Sequence, residues 1–111
     1  MRAAILCGPH SIQVGERPDP VIGAPTDTVV CVVLACVCGS DLWYYRGETD
    51  YAHGAPICHE FVGMVEQVGA EVHGVARGDL VVAPFNYCDG TCVHCRAGWT
   101  SSSINGGVAG N

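Results

Sequence analysis

Residues 59–69 have the sequence HEFVGMVEQVG. The run from Phe61 to Val68 is rich in valine and predicts a β-strand. His59 and Glu60 directly precede that run, and an imidazole and a carboxylate are common zinc ligands. The segment therefore predicts a strand that begins beside two potential metal ligands.

A second motif, Cys38-Gly39-Ser40-Asp41, lies upstream, with its cysteine twenty-one residues before His59. The apolar run Val29–Cys38 predicts the longest strand, and its valine content indicates a buried one. We expect Cys38 at the end of that strand, facing a cleft. Cys38 and His59 would then be zinc ligands, and Glu60 a third or a displaceable ligand.

The residues beside Cys38 suit the chemistry of such a site. Asp41 is expected to accept the other ring N–H of His59, which would fix the tautomer of the imidazole. Ser40 is expected to hold its hydroxyl beside the open metal position, where it can pass on a proton. From spacing alone, a buried cysteine and an ordinary histidine at a strand edge explain the pattern equally well.

The rest of the chain indicates an all-β class, a small barrel or sandwich with metal-bearing loops. Gly8-Pro9 separates two short strands, and a loop follows them. Ser40 to Arg46 is expected to form a single helical turn capped by Ser40 or Asp41, and the chain from Thr100 onward to be frayed. The predicted strands are Arg2 to Cys7, Ser11 to Glu16, Val29 to Cys38, Phe61 to Val68 and Leu80 to Pro84.

Composition limits the partners and the compartment. Eleven acidic residues against five arginines give a net charge of −6, which argues against nucleic acid and against an anionic membrane. The chain has eight cysteines and no export signal, which indicates reduced thiols and a cytoplasmic location. Cys7, Cys31 and Cys36 are expected to be plain buried apolar residues.

A second group of potential ligands is Cys88, Asp89, Cys92 and Cys95. The spacing Cys88-x3-Cys92-x2-Cys95 also matches the loop that holds an iron–sulfur cluster in radical enzymes that use S-adenosylmethionine. Those enzymes need a large barrel after the loop, and only sixteen residues follow Cys95. The remainder of the chain therefore contradicts the iron–sulfur alternative.

Several motifs together resemble one family. They are, in order, Cys38-Gly39-Ser40-Asp41-Leu42, Tyr45-Arg46-Gly47, the stretch 59–69, and Gly78-Asp79-Leu80-Val81-Val82. The chain resembles the N-terminal catalytic domain of the zinc-dependent alcohol dehydrogenases, in the medium-chain dehydrogenase/reductase family. The resemblance implies a mainly β, GroES-like, partly open β-barrel with little helix.

The resemblance also implies a role for each matching residue. Those matching Cys38 and His59 bind catalytic zinc, and the one matching Glu60 is a transient ligand. Ser40 matches a proton-relay hydroxyl, and Asp41 an acid that orients the histidine. The chain departs from the pattern at Cys58, where glycine is usual, and at Trp43, where many members have histidine.

The second group resembles the structural-zinc lobe of the same family, which has four cysteines. By that spacing, Asp89 stands at the first cysteine position and Ser103 at the fourth. Either Cys88 or Asp89 would join Cys92 and Cys95 with one substitute ligand, or the lobe would bind metal weakly. We expect residues 85–103 to form this lobe.

The resemblance implies an oxidoreductase that converts an alcohol to an aldehyde or ketone, with zinc and with NAD or NADP. We find no Gly-x-Gly-x-x-Gly pattern of a nucleotide-binding domain, and the glycine-rich stretch 106–110 follows no predicted strand. We expect residues 1–111 to be an incomplete catalytic domain that lacks the Rossmann domain and the third zinc ligand. Alone it would be inactive as a dehydrogenase, and an exposed strand edge would favour self-association. The alternative is a standalone zinc-binding β domain, structural or weakly hydrolytic.

Overall fold

The computed structural model describes residues 1–108, so the end of the glycine-rich stretch, from Ala109, lies outside the described residues. Strands predominate, as predicted, and two short helices and one 3-10 turn at Thr100–Ser102 accompany them. The strands are β1 (Arg2–Gly8), β2 (Ser11–Glu16), β3 (Thr28–Cys36), β4 (Ala55–Pro56), β5 (Glu60–Val68), β6 (Leu80–Ala83), β7 (Asn86–Tyr87) and β8 (Gly107–Val108). The helices are α1 (Gly39–Arg46) and α2 (Val93–Arg96).

The strands form three antiparallel sheets with the orders β2-β1-β4, β3-β5-β6 and β7-β8. Among residues 1–108 the sheets are open and do not close into a barrel. The two short strands predicted on either side of Gly8-Pro9 are confirmed, and β1 and β2 pair as a hairpin. In the central sheet Cys36 is paired with Glu60, which brings the end of β3 to the start of β5. This register brings the Cys38 motif next to His59.

The apolar core is small, and two polar side chains are buried with it. Asp41 is 2% exposed and His59 is 8% exposed, values as low as those of the core residues. The buried apolar residues are Leu6, Val29, Ile57 and Val65. A buried carboxylate is costly unless it is hydrogen-bonded or paired, so the burial of Asp41 indicates that its partners are part of the fold.

The expectation that β3 is a buried strand is wrong for most of its length. Residues 31–36 are all exposed, because no other described element covers this part of the sheet. Register shifts at Val29/Val30 and at Val32/Leu34 also interrupt the regular alternation of side chains between the two faces of the strand. Cys31 and Cys36 therefore are not buried apolar residues as predicted, and Cys7 is exposed as well.

Helix α1 is longer than the predicted single turn, and its N-cap is Cys38 rather than Ser40 or Asp41. It ends at Gly47, whose φ of 72° lies in the left-handed region that favours glycine. A Cβ at Gly47 would also come within 3.0 Å of Pro9 in the β1–β2 turn. The helix therefore stops where the chain must turn closely past the first hairpin.

Within residues 100–108, the prediction of a frayed end from Thr100 onward is wrong, because this part contains regular structure, while the remainder from Ala109 lies outside the described residues. After the 3-10 turn, β8 pairs with β7 through Asn86 opposite Val108 and Tyr87 opposite Gly107. This pairing closes the loop that carries the second group of cysteines. Among residues 1–108, no helix is both long enough and apolar enough to cross a membrane.

Candidate metal centre

Three of the predicted ligands converge between α1 and β5. Cys38 caps α1, His59 precedes β5 and Glu60 begins it. One ligand atom from each residue lies within 4.8 Å of the other two. Atoms that share one zinc ion through bonds of about 2.0–2.3 Å lie at most about 4.6 Å apart. A small side-chain rotation therefore brings a thiolate, an imidazole and a carboxylate onto one ion, so the donor set fits zinc.

Asp41 connects the two strongest ligands of this group. Its Oδ2 accepts the backbone N–H of Cys38 at 2.8 Å, and its Oδ1 lies 3.5 Å from Nδ1 of His59. Because Asp41 sits in the first turn of α1, formation of the helix itself places the carboxylate there. With Nδ1 directed to a carboxylate, Nε2 is the nitrogen left to bind a metal.

Ser40 lies on the metal-facing side of the histidine. Its Oγ is 3.3 Å from Nε2 of His59. Phe85 covers the same imidazole edge-on, with ring centroids 4.7 Å apart. The hydroxyl is thus within proton-transfer distance of the atoms that would surround an ion, while an aromatic ring limits the access of water from one side.

Glu60 has a partner that the sequence analysis missed. Its Oε2 accepts a hydrogen bond from the Cys36 thiol, with the sulfur 3.4 Å away. This hydrogen bond is the main reason why the pKa of the Cys36 thiol is raised, and the negative charge of Glu60 adds to it. Only the strand register could have indicated this contact, because Cys36 and Glu60 are opposite each other only when β3 and β5 pair as observed.

The two departures from the family pattern lie in the two chain segments that supply the ligands, with Cys58 directly before His59 and Trp43 on α1. Cys58 has a φ of 85°, which explains why glycine suits this position. Its thiol is half-buried, and burial raises its pKa, with the charge of Asp41 as a further cause. Cys58 is not in the group of converging ligands, and Trp43 is exposed on α1.

The second ligand group is formed by Asp89, Cys92 and Cys95, and one ligand atom from each lies within 4.8 Å of the other two. The two sulfurs are 3.4 Å apart, and Oδ1 of Asp89 lies 3.4 Å from the sulfur of Cys95. Ser103 completes the group, with its Oγ 3.2 Å from Asp89 and 3.7 Å from the sulfur of Cys92. Cys88 is exposed and lies outside the group.

These separations match the edges of a tetrahedral zinc site. Bonds of about 2.0–2.3 Å to four ligands place the ligand atoms about 3.3–3.8 Å apart. Two thiols, one carboxylate and one hydroxyl therefore fit the geometry of zinc. They supply only two of the four thiolates of a four-cysteine site.

The carboxylate of Asp89 holds the second group together without a metal. It accepts hydrogen bonds from the Thr91 hydroxyl and amide and from Nδ2 of Asn105, the last at 2.7 Å. The Thr91 and Asn105 side chains hold the pKa of the Asp89 carboxyl well below its usual range. Hydrogen bonds led by the backbone N–H of Cys95 lower the pKa of Cys92 to about 6.

Comparison with known proteins gives one consistent result. Residues 24–111 match the alcohol dehydrogenase GroES-like domain family. A medium chain reductase/dehydrogenase from an Acremonium species is 40% identical over the full chain, which spans 38% of that protein. A zinc-type alcohol dehydrogenase from Aspergillus flavus is 39% identical over 91% of the chain, which spans 24% of that relative.

A solved structure agrees with these relatives. The alcohol dehydrogenase from Thermus sp. ATN1 superimposes with a TM-score of 0.89 and 40% identity, over 97% of this chain and 31% of the Thermus chain. The protein described here therefore spans about a quarter to two fifths of the length of these relatives. The matched family and these identities together show that the chain belongs to the GroES-like domain family of the zinc-dependent alcohol dehydrogenases.

Proposed function

We propose that this chain supplies the zinc-binding part of an alcohol dehydrogenase that interconverts a small alcohol with its aldehyde or ketone. The observation that carries the proposal is the convergence of Cys38, His59 and Glu60 around the helix-borne carboxylate of Asp41. The names of the relatives support the reaction class, since they are medium-chain or zinc-type dehydrogenases.

Cys38 and His59 would hold the ion, with Glu60 as a displaceable third ligand. Zinc bound there would act as a Lewis acid on the substrate oxygen, and a nicotinamide would take the hydride. Asp41 keeps the imidazole in the tautomer whose Nε2 is free, and it fixes the backbone of Cys38. Cys36 holds Glu60 through the thiol hydrogen bond, so release of that bond would let the carboxylate move.

Ser40 would move the proton of the alcohol. Its hydroxyl is close enough to Nε2 of His59 to contact an oxygen placed beside the same ion. A hydroxyl both donates and accepts, so it can take a proton from the substrate and pass one outward. The indole of Trp43 has no titratable group at the position where many family members have a histidine, so the outward path would run from Ser40 to solvent.

We further propose that the activity requires a Rossmann domain that binds NAD or NADP, in addition to residues 1–111. The length of the relatives supports this, because the chain spans 31% of the Thermus enzyme. Eight free thiols support a reducing compartment such as the cytoplasm. The exposed apolar side chains of β3 and β6 support docking of another domain or a second copy on that sheet.

Residues 85–103, which carry the second ligand group, would form a structural zinc lobe with fewer thiolate ligands than a four-cysteine lobe. Asp89, Cys92 and Cys95 would bind the ion, and Ser103 would take the fourth position. Their separations support this arrangement. Because a neutral hydroxyl is a weaker ligand than a thiolate, we expect lower zinc affinity than in a four-cysteine lobe.

Zinc-dependent protection of single thiols tests the ligand assignment. The chain would be equilibrated with buffered zinc, alkylated briefly, and mapped by mass spectrometry. Cys38 should be protected at a zinc concentration that leaves the exposed Cys31 reactive. Iron with acid-labile sulfide in the purified protein, or zinc binding without protection of Cys38, would contradict the proposal.

An assay with nicotinamide tests the requirement for a second domain. Residues 1–111 loaded with zinc should show no alcohol-dependent reduction of NAD or NADP. Measurable turnover by this chain would refute the requirement.

A further inference from the structure

The sulfurs of Cys92 and Cys95 lie close together at the start of α2. They are 3.4 Å apart, whereas a disulfide has a bond of about 2.05 Å. Closing this gap takes a movement of little more than one ångström, within the reach of side-chain rotation. The two cysteines are separated by two residues across the first turn of α2, a spacing found in redox-active motifs.

We infer that Cys92 and Cys95 form a redox-active dithiol that exchanges electrons with low-molecular-weight disulfides such as glutathione disulfide. Three features support this beyond the sulfur distance. Both residues are partly exposed, so a small disulfide can reach them. The position of the fourth ligand is filled by Ser103, so the two thiols lack the thiolate partners of a closed zinc site.

The third feature is that hydrogen bonds that do not involve the two thiols hold the loop around the pair. Asp89 accepts from Thr91 and Asn105, and β7 pairs with β8 on the other side of the loop. Oxidation of the two cysteines therefore leaves these hydrogen bonds in place. The loop does not have to unfold for the disulfide to form or to be reduced again.

The contacts also assign the order of the two steps. The sulfur of Cys92 accepts the backbone N–H of Cys95 and faces the Ser103 hydroxyl, so these contacts hold it in position for the first step. Cys92, as its thiolate, attacks one sulfur of glutathione disulfide, which forms a mixed disulfide and releases one glutathione thiolate. Cys95 then loses its proton, its sulfur attacks the sulfur of Cys92, and the second glutathione thiolate leaves.

The exchange is balanced in atoms and electrons. The dithiol gives up two electrons and becomes a disulfide, glutathione disulfide takes them up, and the two thiol protons end on the two glutathione molecules. Since the disulfide consumes both thiolates, it excludes a zinc ion from the same lobe. The dithiol state and the metal-bound state of the lobe are therefore alternatives.

The test uses the metal-free chain of residues 1–111 in glutathione buffers that range from fully reduced to fully oxidised. After acid quench and alkylation, peptide mapping should show an internal Cys92–Cys95 disulfide. Cys7 and Cys31, which are exposed, serve as internal controls and should form no internal disulfide. Thiols that stay free across the whole range, or a disulfide from either cysteine to Cys88, would overturn the inference.

Two variants test the order assigned to the two steps of the exchange. In Cys95→Ser the glutathione adduct at Cys92 should accumulate roughly tenfold over the parent chain, because the resolving thiol is gone. Cys88→Ser should behave like the parent. A stable adduct on Cys92 in the parent chain itself would overturn the inference, and this readout needs no variant to fold.

A zinc measurement separates this inference from the proposed alcohol chemistry. Oxidation of the zinc-loaded chain with excess glutathione disulfide should release zinc from the lobe, and a chromophoric chelator measures the released zinc. Cys38 should stay protected from alkylation. If Cys38 is never protected by zinc, the proposed function fails but the disulfide result stands. If Cys38 is protected and no Cys92–Cys95 disulfide forms, only the dithiol inference fails.

Discussion

Replacing Asp41 by asparagine should weaken zinc binding at the Cys38 site without unfolding the chain. Asp41 uses one oxygen for the Cys38 amide at 2.8 Å and directs the other to Nδ1 of His59 at 3.5 Å. At 2% exposure, water cannot replace either partner. An asparagine keeps the shape of the side chain but replaces one oxygen by an NH2 donor.

Each orientation of that asparagine disrupts one side of the site. If the amide oxygen faces Cys38, the NH2 group faces Nδ1 and forces the proton of His59 onto Nε2, the nitrogen that would bind the ion. If the amide oxygen faces His59, the Cys38 N–H is left unsatisfied, at a cost of about 1–3 kcal/mol. Loss of such an orienting partner lowers metal affinity by roughly 10–100-fold, or about 1.4–2.7 kcal/mol.

Zinc-dependent protection of Cys38 from alkylation measures this affinity at one site. In Asp41→Asn the zinc concentration for half-protection of Cys38 should rise by roughly 10–100-fold. Half-protection of Cys92, on the second group, should be unchanged and serves as the internal reference. Asp50→Asn removes an exposed carboxylate from the loop after α1 and is the matched control. A shift of less than twofold in a variant with normal circular dichroism would refute the role assigned to Asp41.

Three further changes test the fold and the lobe. Gly63→Ala should lower the free energy of unfolding in urea by about 1–3 kcal/mol, because its Cβ would lie 2.6 Å from a backbone carbonyl of β3. Gly39→Ala, with open space at the Cβ position, should not be destabilised, and an equal loss in both would contradict the packing argument. Cys58→Gly should raise the free energy of unfolding by up to about 1.5 kcal/mol, since it removes left-handed strain of about 1–2 kcal/mol and adds glycine entropy of about 0.5–1 kcal/mol; a lower melting temperature would contradict this. The pKa of Asp89 is held below its ordinary value of 3.8, so its stabilisation of the lobe is present above that pH and is lost as the pH falls further. Amide exchange in residues 89–105, corrected for intrinsic rates, should accelerate only below that pH, and an equal acceleration in Asp89→Asn would refute the assignment.

The strands and the residues that converge between α1 and β5 could be predicted from the sequence because their signals are local. Valine-rich runs mark β3 and β5, and His59-Glu60 directly precedes Phe61 on the chain. The approach of Asp41 to His59 was predicted, and Oδ1 of Asp41 lies 3.5 Å from Nδ1 of His59. The contact of Asp41 with the Cys38 amide was not predicted, because it requires Cys38, rather than Ser40 or Asp41, to be the N-cap of α1.

Burial and cross-strand partners could not be predicted in this way. An apolar run indicates a strand but does not say what covers it, so Cys31 and Cys36 were assigned to a core that does not enclose them. The contact of Cys36 with Glu60 depends on a register with two irregularities, and the period of the sequence does not show them. Ser103 already stood at the fourth position of the lobe by the family spacing, but the sequence did not show its contact with Asp89, which follows the 3-10 turn.

The two ligand groups share one structural device, a carboxylate that orders the ligands before any metal binds. Asp41 holds the Cys38 amide and the His59 ring, and Asp89 holds Thr91 and Asn105 around the Cys92 thiol. The difference between them is exposure, because Asp41 is buried whereas Asp89 is on the surface. A buried carboxylate fixes one tautomer and one geometry and so suits a site where the metal must meet a substrate in a defined orientation. An exposed carboxylate orders the loop but leaves the two thiols open to solvent, where they are free to exchange with another disulfide.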